Sequence, residues 1–318
     1  MRNLERRYFI KSCLISLGAL FIPKELHALS LSYYMKANYF KTLQRIGEYA
    51  TNVVQSFAID IKDNLLFTQH VGGKEHNCYL CQYSFSTDDP IKASSYMHLK
   101  NVCGHQGISI QKIDSNILLW SSAGKLIHNF GLHGIRFNYI ADSELTNYEV
   151  FKFFDEENFK SKGSTMPIIS SDGKYLIARG YRKKDNISII RIFDIKITEK
   201  QKDLSNNYLY QWEVSPISQN KEYPMQGIAS NGNNVIIQLG SSSTTRDKAL
   251  LIYSLDGILL NYTNGYRIGK NEALTTGDSS LWEPEGIYFS QDQNSVHKLF
   301  HCIASGNKGN RIVRIYQS

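Results

Sequence analysis

Four side chains with strong hydrogen-bonding ends stand at matching places along this 318-residue sequence: Gln55, Gln106, Gln226 and Glu285. Gln106, Gln226 and Glu285 each open onto a Gly-Ile pair, and Gln55 onto Ser56-Phe57. Amides and a carboxylate can hold hydroxyls, water or an ion, or can bond to neighbouring backbone. A second set is basic. Arg182, Arg246 and Lys308 lie in polar stretches that also carry Lys74, Arg179, Lys183, Lys184, Lys248 and Arg311. Arginine forks match phosphate and carboxylate, and a basic rim attracts anions. Gathered on one surface, the two sets would bind a glycan or an anionic polymer.

Gathering residues so far apart requires a repeating scaffold. Five segments read alike: "QSFAIDIKDNLLFTQ" from Gln55, "QGISIQKIDSNILLWSS" from Gln106, "MPIISSDGKYLIARG" from Met166, "QGIASNGNNVIIQLG" from Gln226 and "EGIYFSQDQNSVHKLFHCIA" from Glu285. Each is an apolar run, a turn rich in Asp, Asn or Gly, and a second apolar run, which is a hairpin signal. Their second residues lie 51, 60, 60 and 59 apart, so one unit recurs. A third strand follows in every copy ("CYLCQYSF", "GIRFNYI", "SIIRIFDI", "ALLIYSLDG", "RIVRIYQS"), and a fourth in most. Four antiparallel strands repeated five times describe an all-β, five-bladed β-propeller. The third copy, with Met166 in place of Gln or Glu, is the poorest match.

The last copy stops at Ser318 after its third strand. An unpaired edge there invites association. Residues 31–50, which have no blade of their own, are expected to supply the missing strand and close the ring. The propeller itself is expected over residues 51–318. Trp120, Trp212 and Trp282 are expected to pack between blades. At 42% hydrophobic and 20% charged, with 20 Tyr, the chain reads as globular rather than disordered.

"QSFAIDIKDNLLFTQ", "CGHQGISI" and "EPEGIYF" resemble the five-bladed propeller of teichoic-acid biosynthesis protein C and of phage receptor-binding proteins, over about residues 40–318. The resemblance implies recognition of a cell surface or glycopolymer. It brings no catalytic constellation with it.

An enzyme reading fares less well. Propeller furanosidases use two carboxylates, one as acid and one as nucleophile or base. Here Glu285 stands at an inner-strand start with Glu283 two residues before it, and Asp60 lies deeper along the first inner strand. No Ser/His/Asp signature or phosphate-cradling glycine loop is present. His70, His76, His98 and His105 lack a ligand spacing. Cys78-x-x-Cys81 lies in a strand-like run, where positions three apart face opposite ways. It reads as structural, with a disulfide among Cys78, Cys103 and Cys302, or a metal, as lesser alternatives. No catalytic residue, cofactor or metal is assigned. A binding module is favoured, with a glycan-active hydrolase or transferase as the alternative.

The N-terminus reads as an address. Arg6-Arg7-x-Phe9-Ile10-Lys11 resembles a twin-arginine translocation motif. Leu14–Pro23 is too short to span a membrane, and Ala28 or Ser30 offers a cleavage point. Residues 1–30 are expected to be a signal read by the twin-arginine export machinery, giving a periplasmic or secreted protein with no membrane span in its mature form. Phage relatives do not typically carry such a signal, which favours an exported cellular protein. Removing residues 1–30 takes away five basic and two acidic side chains and lowers the formal net charge from +7 to about +4. That mild balance does not suggest nucleic acid.

Overall fold

The computed structural model describes residues 33–44, 53–72, 77–100, 102–114, 116–123, 131–275, 281–306 and 311–318. Their strands form five sheets, each blade running antiparallel from its innermost strand outward. Blade 1 holds β2 (Val53–Asp60), β3 (Leu65–Gly72), β4 (Asn77–Ser84) and β5 (Ala93–Leu99). Blade 2 holds β6 (Cys103–Ile113), β7 (Asn116–Ala123), β8 (His133–Asn138) and β10 (Glu149–Lys152). Blade 3 holds β11 (Ile168–Ile169), β12 (Tyr175–Tyr181), β13 (Ser188–Asp194) and β14 (Tyr210–Glu213). Blade 4 holds β15 (Met225–Ser230), β16 (Asn234–Leu239), β17 (Lys248–Ser254) and β18 (Leu259–Tyr266). Blade 5 holds β19 (Trp282–Gln291), β20 (His297–Ser305) and β21 (Ile312–Gln317). The inner strands touch in the order β2, β6, β11, β15, β19 and back to β2, so the ring is closed.

The fourth strand of blade 5 comes from the N-terminal side. β1 (Asn38–Leu43) pairs antiparallel with β21, from Asn38 opposite Gln317 to Leu43 opposite Val313. The same strand is tied to blade 1, because the Ile91 amide donates to Thr42 O at 2.9 Å and the Gln44 amide to Ile91 O at 2.8 Å. Blade 1 gains an extra edge that the repeat pattern does not announce. The two-residue β9 (Ser143–Glu144) runs parallel to β5. It is held there by Asp142 N to Tyr96 O and Leu145 N to His98 O.

Blades bury both faces, so their strands read as apolar runs rather than alternating ones. All six residues of β15 are buried, as are six of the seven in β17. The tryptophans fill the seams. Trp120 packs with Phe151 and Phe153, Trp212 stacks on Tyr253 at 4.4 Å, and Trp282 joins a cluster of blade 4 and 5 residues. Cys78, Cys81 and Cys302 are buried in the blades, and the side chain of Cys103 lies outside the described residues.

Hairpin turns at one end of the inner strands are closed by their own side chains. Asp60 Oδ1 accepts the amides of Lys62 and Asp63, Asn231 Oδ1 those of Asn233 and Asn234, and Asp292 Oδ1 those of Asn294 and Val296. This is the turn chemistry that Asp and Asn supply. At the other end the chain approaches itself closely. A Cβ on Gly107 would lie 2.3 Å from Met166 Cα, and one on Gly227 would lie 2.7 Å from Ile287 N. Gly107 and Gly227, each after a recurring Gln, therefore let adjacent inner strands meet.

Candidate functional site

The recurring polar residues sit where the inner ladders break. Register slips between Val54 and Ser56, between Cys103 and Ile108, between Met225 and Gly227, and between Pro284 and Ile287. Gln55, Gln106, Gln226 and Glu285 lie within these breaks. A bulge adds a residue to one strand and re-aims its side chain. In blade 3 the inner strand has only two residues, and Met166 adopts φ 45°, so this blade contributes no equivalent polar end.

These bulges bring the four residues together. Gln106 Nε2 donates to Gln226 Oε1 at 2.8 Å, and Gln226 Nε2 donates to Gly240 O at 3.0 Å. Gln55 Nε2 reaches Glu285 Oε2 at 3.5 Å. Gln55, Gln106 and Gln226 line a cavity of about 550 Å³, joined by His105, Arg179, Tyr181, Lys221, Glu283 and Arg311. Glu285 is 1% exposed and lies beneath that lining. Arg179 is itself buried, its Nε donating to Ser164 O at 3.1 Å and its guanidinium lying 4.8 Å from the centre of the Tyr181 ring.

Two residues of the expected basic rim stand apart from this cavity. Arg182 does not line the cavity; it pairs with Asp185 at 2.5 Å and Glu213 at 2.6 Å. Arg246 does not line it either, and pairs with Glu222. Each loop carries or meets its own acid, which neutralises the cation. Lys308, like Lys74 and His76, lies outside the described residues. Among the described residues, the cations that reach the cavity are Arg179, Lys221 and Arg311. Lys221 had no signal that distinguished it. Arg179 and Arg311 were indistinguishable from the other loop charges.

The cavity floor holds a charged cluster. Arg311 Nη1 donates to Glu283 Oε2 at 3.2 Å and to Glu285 Oε1 at 3.4 Å. Burial pushes the Glu285 carboxyl well above the usual range, the charge of Glu283 pushes it further, and Arg311 opposes both. Burial also raises Glu283, against Arg311 and Lys248. Lys248, buried under the face of Trp282, is lowered to about 8 by burial, with Glu283 opposing.

The opposite ends of the inner strands border a second cavity of about 510 Å³, lined by Asp60, Lys112, Asp172, Tyr288 and their neighbours. Asp60 opens here and not toward Glu285. It pairs with Lys112, which also meets Asp63 at 2.5 Å. No group of His, Cys, Asp and Glu among the described residues could hold a metal ion.

Five four-stranded blades around a channel with a polar mouth define a five-bladed β-propeller. Residues 53–317 match the phage 5-bladed beta propeller receptor binding platform domain, and the chain belongs to that family. Among solved structures it is similar to the tail fibre of Staphylococcus aureus phage P68, with a TM-score of 0.65 and 16% identity over 89% of this chain and 52% of that one. It thus spans about half the length of that tail fibre. It is also similar to 1,3Gal43A, an exo-β-1,3-galactanase from Clostridium thermocellum, with a TM-score of 0.50 and 8% identity over 88% of this chain and 62% of that one. At these identities the likeness shows the fold alone. A comparison with curated protein sequences finds no match.

Proposed function

We propose that this chain is an exported receptor-binding platform that holds a hydroxyl-rich, anionic cell-surface polymer at the polar mouth of its propeller. One observation carries this reading. Three bulged amides from blades 1, 2 and 4 line a single cavity with Arg179, Lys221 and Arg311. Amides suit sugar hydroxyls and the cations suit the acidic groups of a glycopolymer. The cavity falls within the usual range for ligand sites, roughly 300–1,000 Å³. The family description supports receptor binding. The likeness to teichoic-acid biosynthesis protein C supports a glycopolymer as the class of receptor. Export by the twin-arginine route, read from Arg6 and Arg7, would place the mature chain in the periplasm or outside the cell. No helix among the described residues is long and apolar enough to cross a membrane.

The adjacent carboxylates Glu283 and Glu285 favour a second reading, a glycan-active hydrolase or transferase. Its acid and base would then come from one strand, since Asp60 borders the other cavity.

Calorimetric titration of residues 31–318 with dextran sulfate and with uncharged dextran tests the binding reading. Dextran sulfate is expected to bind at low salt and to weaken as salt rises. Gln55→Ala with Lys221→Ala should weaken it, whereas Arg182→Ala with Arg246→Ala should not. Absence of binding at low salt, or equal loss in both double variants, overturns the assignment. Release of reducing sugar from a glycan, lost in Glu283→Gln, would establish the second reading instead.

A further inference from the structure

We propose that Arg311 is the cation that receives the ligand's anionic group, and that Glu283 and Glu285 hold it back until they take up protons. This rests on reading the polar mouth as the ligand site, and it adds a regulation that the binding reading does not contain.

The geometry is that of an under-satisfied arginine. One nitrogen, Nη1, is shared between two carboxylates at 3.2 and 3.4 Å. Charge-assisted N–H···O bonds ordinarily run at about 2.7–2.9 Å, and a guanidinium prefers to meet an oxyanion with two parallel bonds. Arg311 Nε is buried and has no partner among the described residues. A sulfate, phosphate or carboxylate arriving in the cavity could offer Arg311 closer contacts than either glutamate does. Arg311 lines that cavity beside Gln55 and Glu283, so it stands within the ligand's reach.

The opposition comes from the floor. With both glutamates ionised, their two negative charges outweigh Arg311, and an anionic ligand brings a third. Every element packed against the pair contributes a group. β2 supplies Gln55, β3 supplies His70 beside Arg311, β17 supplies Lys248, and β20 supplies the Cys302 thiol beside Glu285. His105, Arg179 and Lys221 look on from the cavity wall. Of these, Lys248 acts on Glu283 through its charge, yet its ammonium donates to Ser243 O at 2.6 Å and Arg246 O at 3.1 Å. Glu285 is 1% exposed, and such burial disfavours its charged form. Both carboxyls are raised by burial, so the folded protein keeps protons there above the ordinary carboxylate pKa. A bound anion raises them further. Binding then takes up a proton, and affinity rises as pH falls through the raised values. One proton taken up corresponds to at most about a tenfold gain in affinity per pH unit.

The test is titration of dextran sulfate into residues 31–318 across a pH series at fixed ionic strength, repeated in buffers of different ionisation heat. Wild type should bind up to about tenfold more tightly for each unit of pH lost within that window, with proton uptake seen as a buffer-dependent heat. Glu285→Gln should flatten the profile and bind more tightly than wild type at neutral pH. Glu283→Gln, at a less buried position, should do the same and serves if the first variant fails to fold. His105→Asn should keep the slope, whatever it does to affinity. Dextran sulfate binding that is flat with pH in wild type, or sloped to the same degree in both glutamine variants, overturns this inference and leaves the binding reading standing. No binding at any pH overturns both.

Discussion

The two ends of the inner strands spend the same kinds of residue differently. At the bulged end, Gln106 and Gln226 bond to each other across the channel, and Arg311 spans two glutamates. At the turn end, Asp60, Asn231 and Asp292 are consumed by backbone amides two to four residues on. Asp60 is also matched by Lys112. Short-range partners leave a polar residue satisfied wherever the hairpin goes. Long-range partners satisfy it only when the ring closes, and then imperfectly. Recurrence of Asp or Asn in the turns therefore marks folding, whereas recurrence of Gln or Glu in the bulges marks a place where ligand groups can compete.

The strongest way to break this contrast is through glycine. Gly107 has φ +82°, and an added Cβ would lie 2.3 Å from Met166 Cα. Gly107→Ala must therefore move backbone in blade 2 or 3 and accept left-handed strain. Together these should cost about 3 kcal/mol. Gly173 at the turn end has φ +74° with nothing within 4 Å of the same atom, so Gly173→Ala should cost only about 1 kcal/mol of strain. Urea denaturation of both variants measures the difference. Equal losses would mean that the bulged seam is no tighter than an open turn.

The next effect concerns charge. Arg311→Ala leaves Glu283 and Glu285 without their shared cation, and breaking a partly buried pair from one side is expected to cost about 2–3 kcal/mol at neutral pH. The loss should shrink as pH falls, because protonated carboxyls no longer need the arginine. A pH-independent loss in urea denaturation would place the two glutamates outside Arg311's influence.

Much of this was legible in the sequence because it depends on local pattern. Five hairpins at near-constant spacing announce five blades, and the "RIVRIY" edge announces a closing strand from residues 31–50, which the structure supplies as Asn38–Leu43. Gln-Gly-Ile and Glu-Gly-Ile mark the bulges. What stayed hidden depends on direction. Arg179 and Arg182 are three residues apart. One is buried beside the cavity, and the other is paired outside it with Asp185 and Glu213. Asp185, three residues after Arg182, was a readable sign of local pairing. Glu213 and Glu222 were not, because they come from chain segments that only packing brings near. β9 was unreadable because two residues carry no periodicity. Blade 3 was a weak match for a physical reason: its inner strand is two residues long and begins after a strained Met166.

Removing charge from the floor is a smaller change with a definite sign. Glu285 has its pKa raised on folding, so the stability linked to it is full below the unfolded value, near 4.3, and is lost as pH rises through the folded value. Glu285→Gln removes that loss. The variant should therefore gain about 1 kcal/mol over wild type at high pH and nothing at acid pH, as read from paired urea curves. A variant less stable at high pH than at low pH, relative to wild type, would show that the ionised carboxylate is favoured in the fold and would reverse the account of the floor.

The smallest effect belongs to the turn end and tests whether that end is as inert as its bonding suggests. Lys112 is exposed, with 37% of its side chain accessible, and it bridges Asp60 and Asp63. Exposed ion pairs are worth about 0–1 kcal/mol. Asp60 also keeps its two amide donors when the lysine is gone, so Lys112→Ala should cost about 0.5 kcal/mol or less. It should leave dextran sulfate affinity and its pH profile as in wild type, because Asp60 borders the other cavity and shares no bonding partner with Arg311 or Glu285. If Lys112→Ala instead lowers that affinity, the turn end takes part in binding. The division between self-satisfied turns and competing bulges would then have to give way to a channel that works along its whole length.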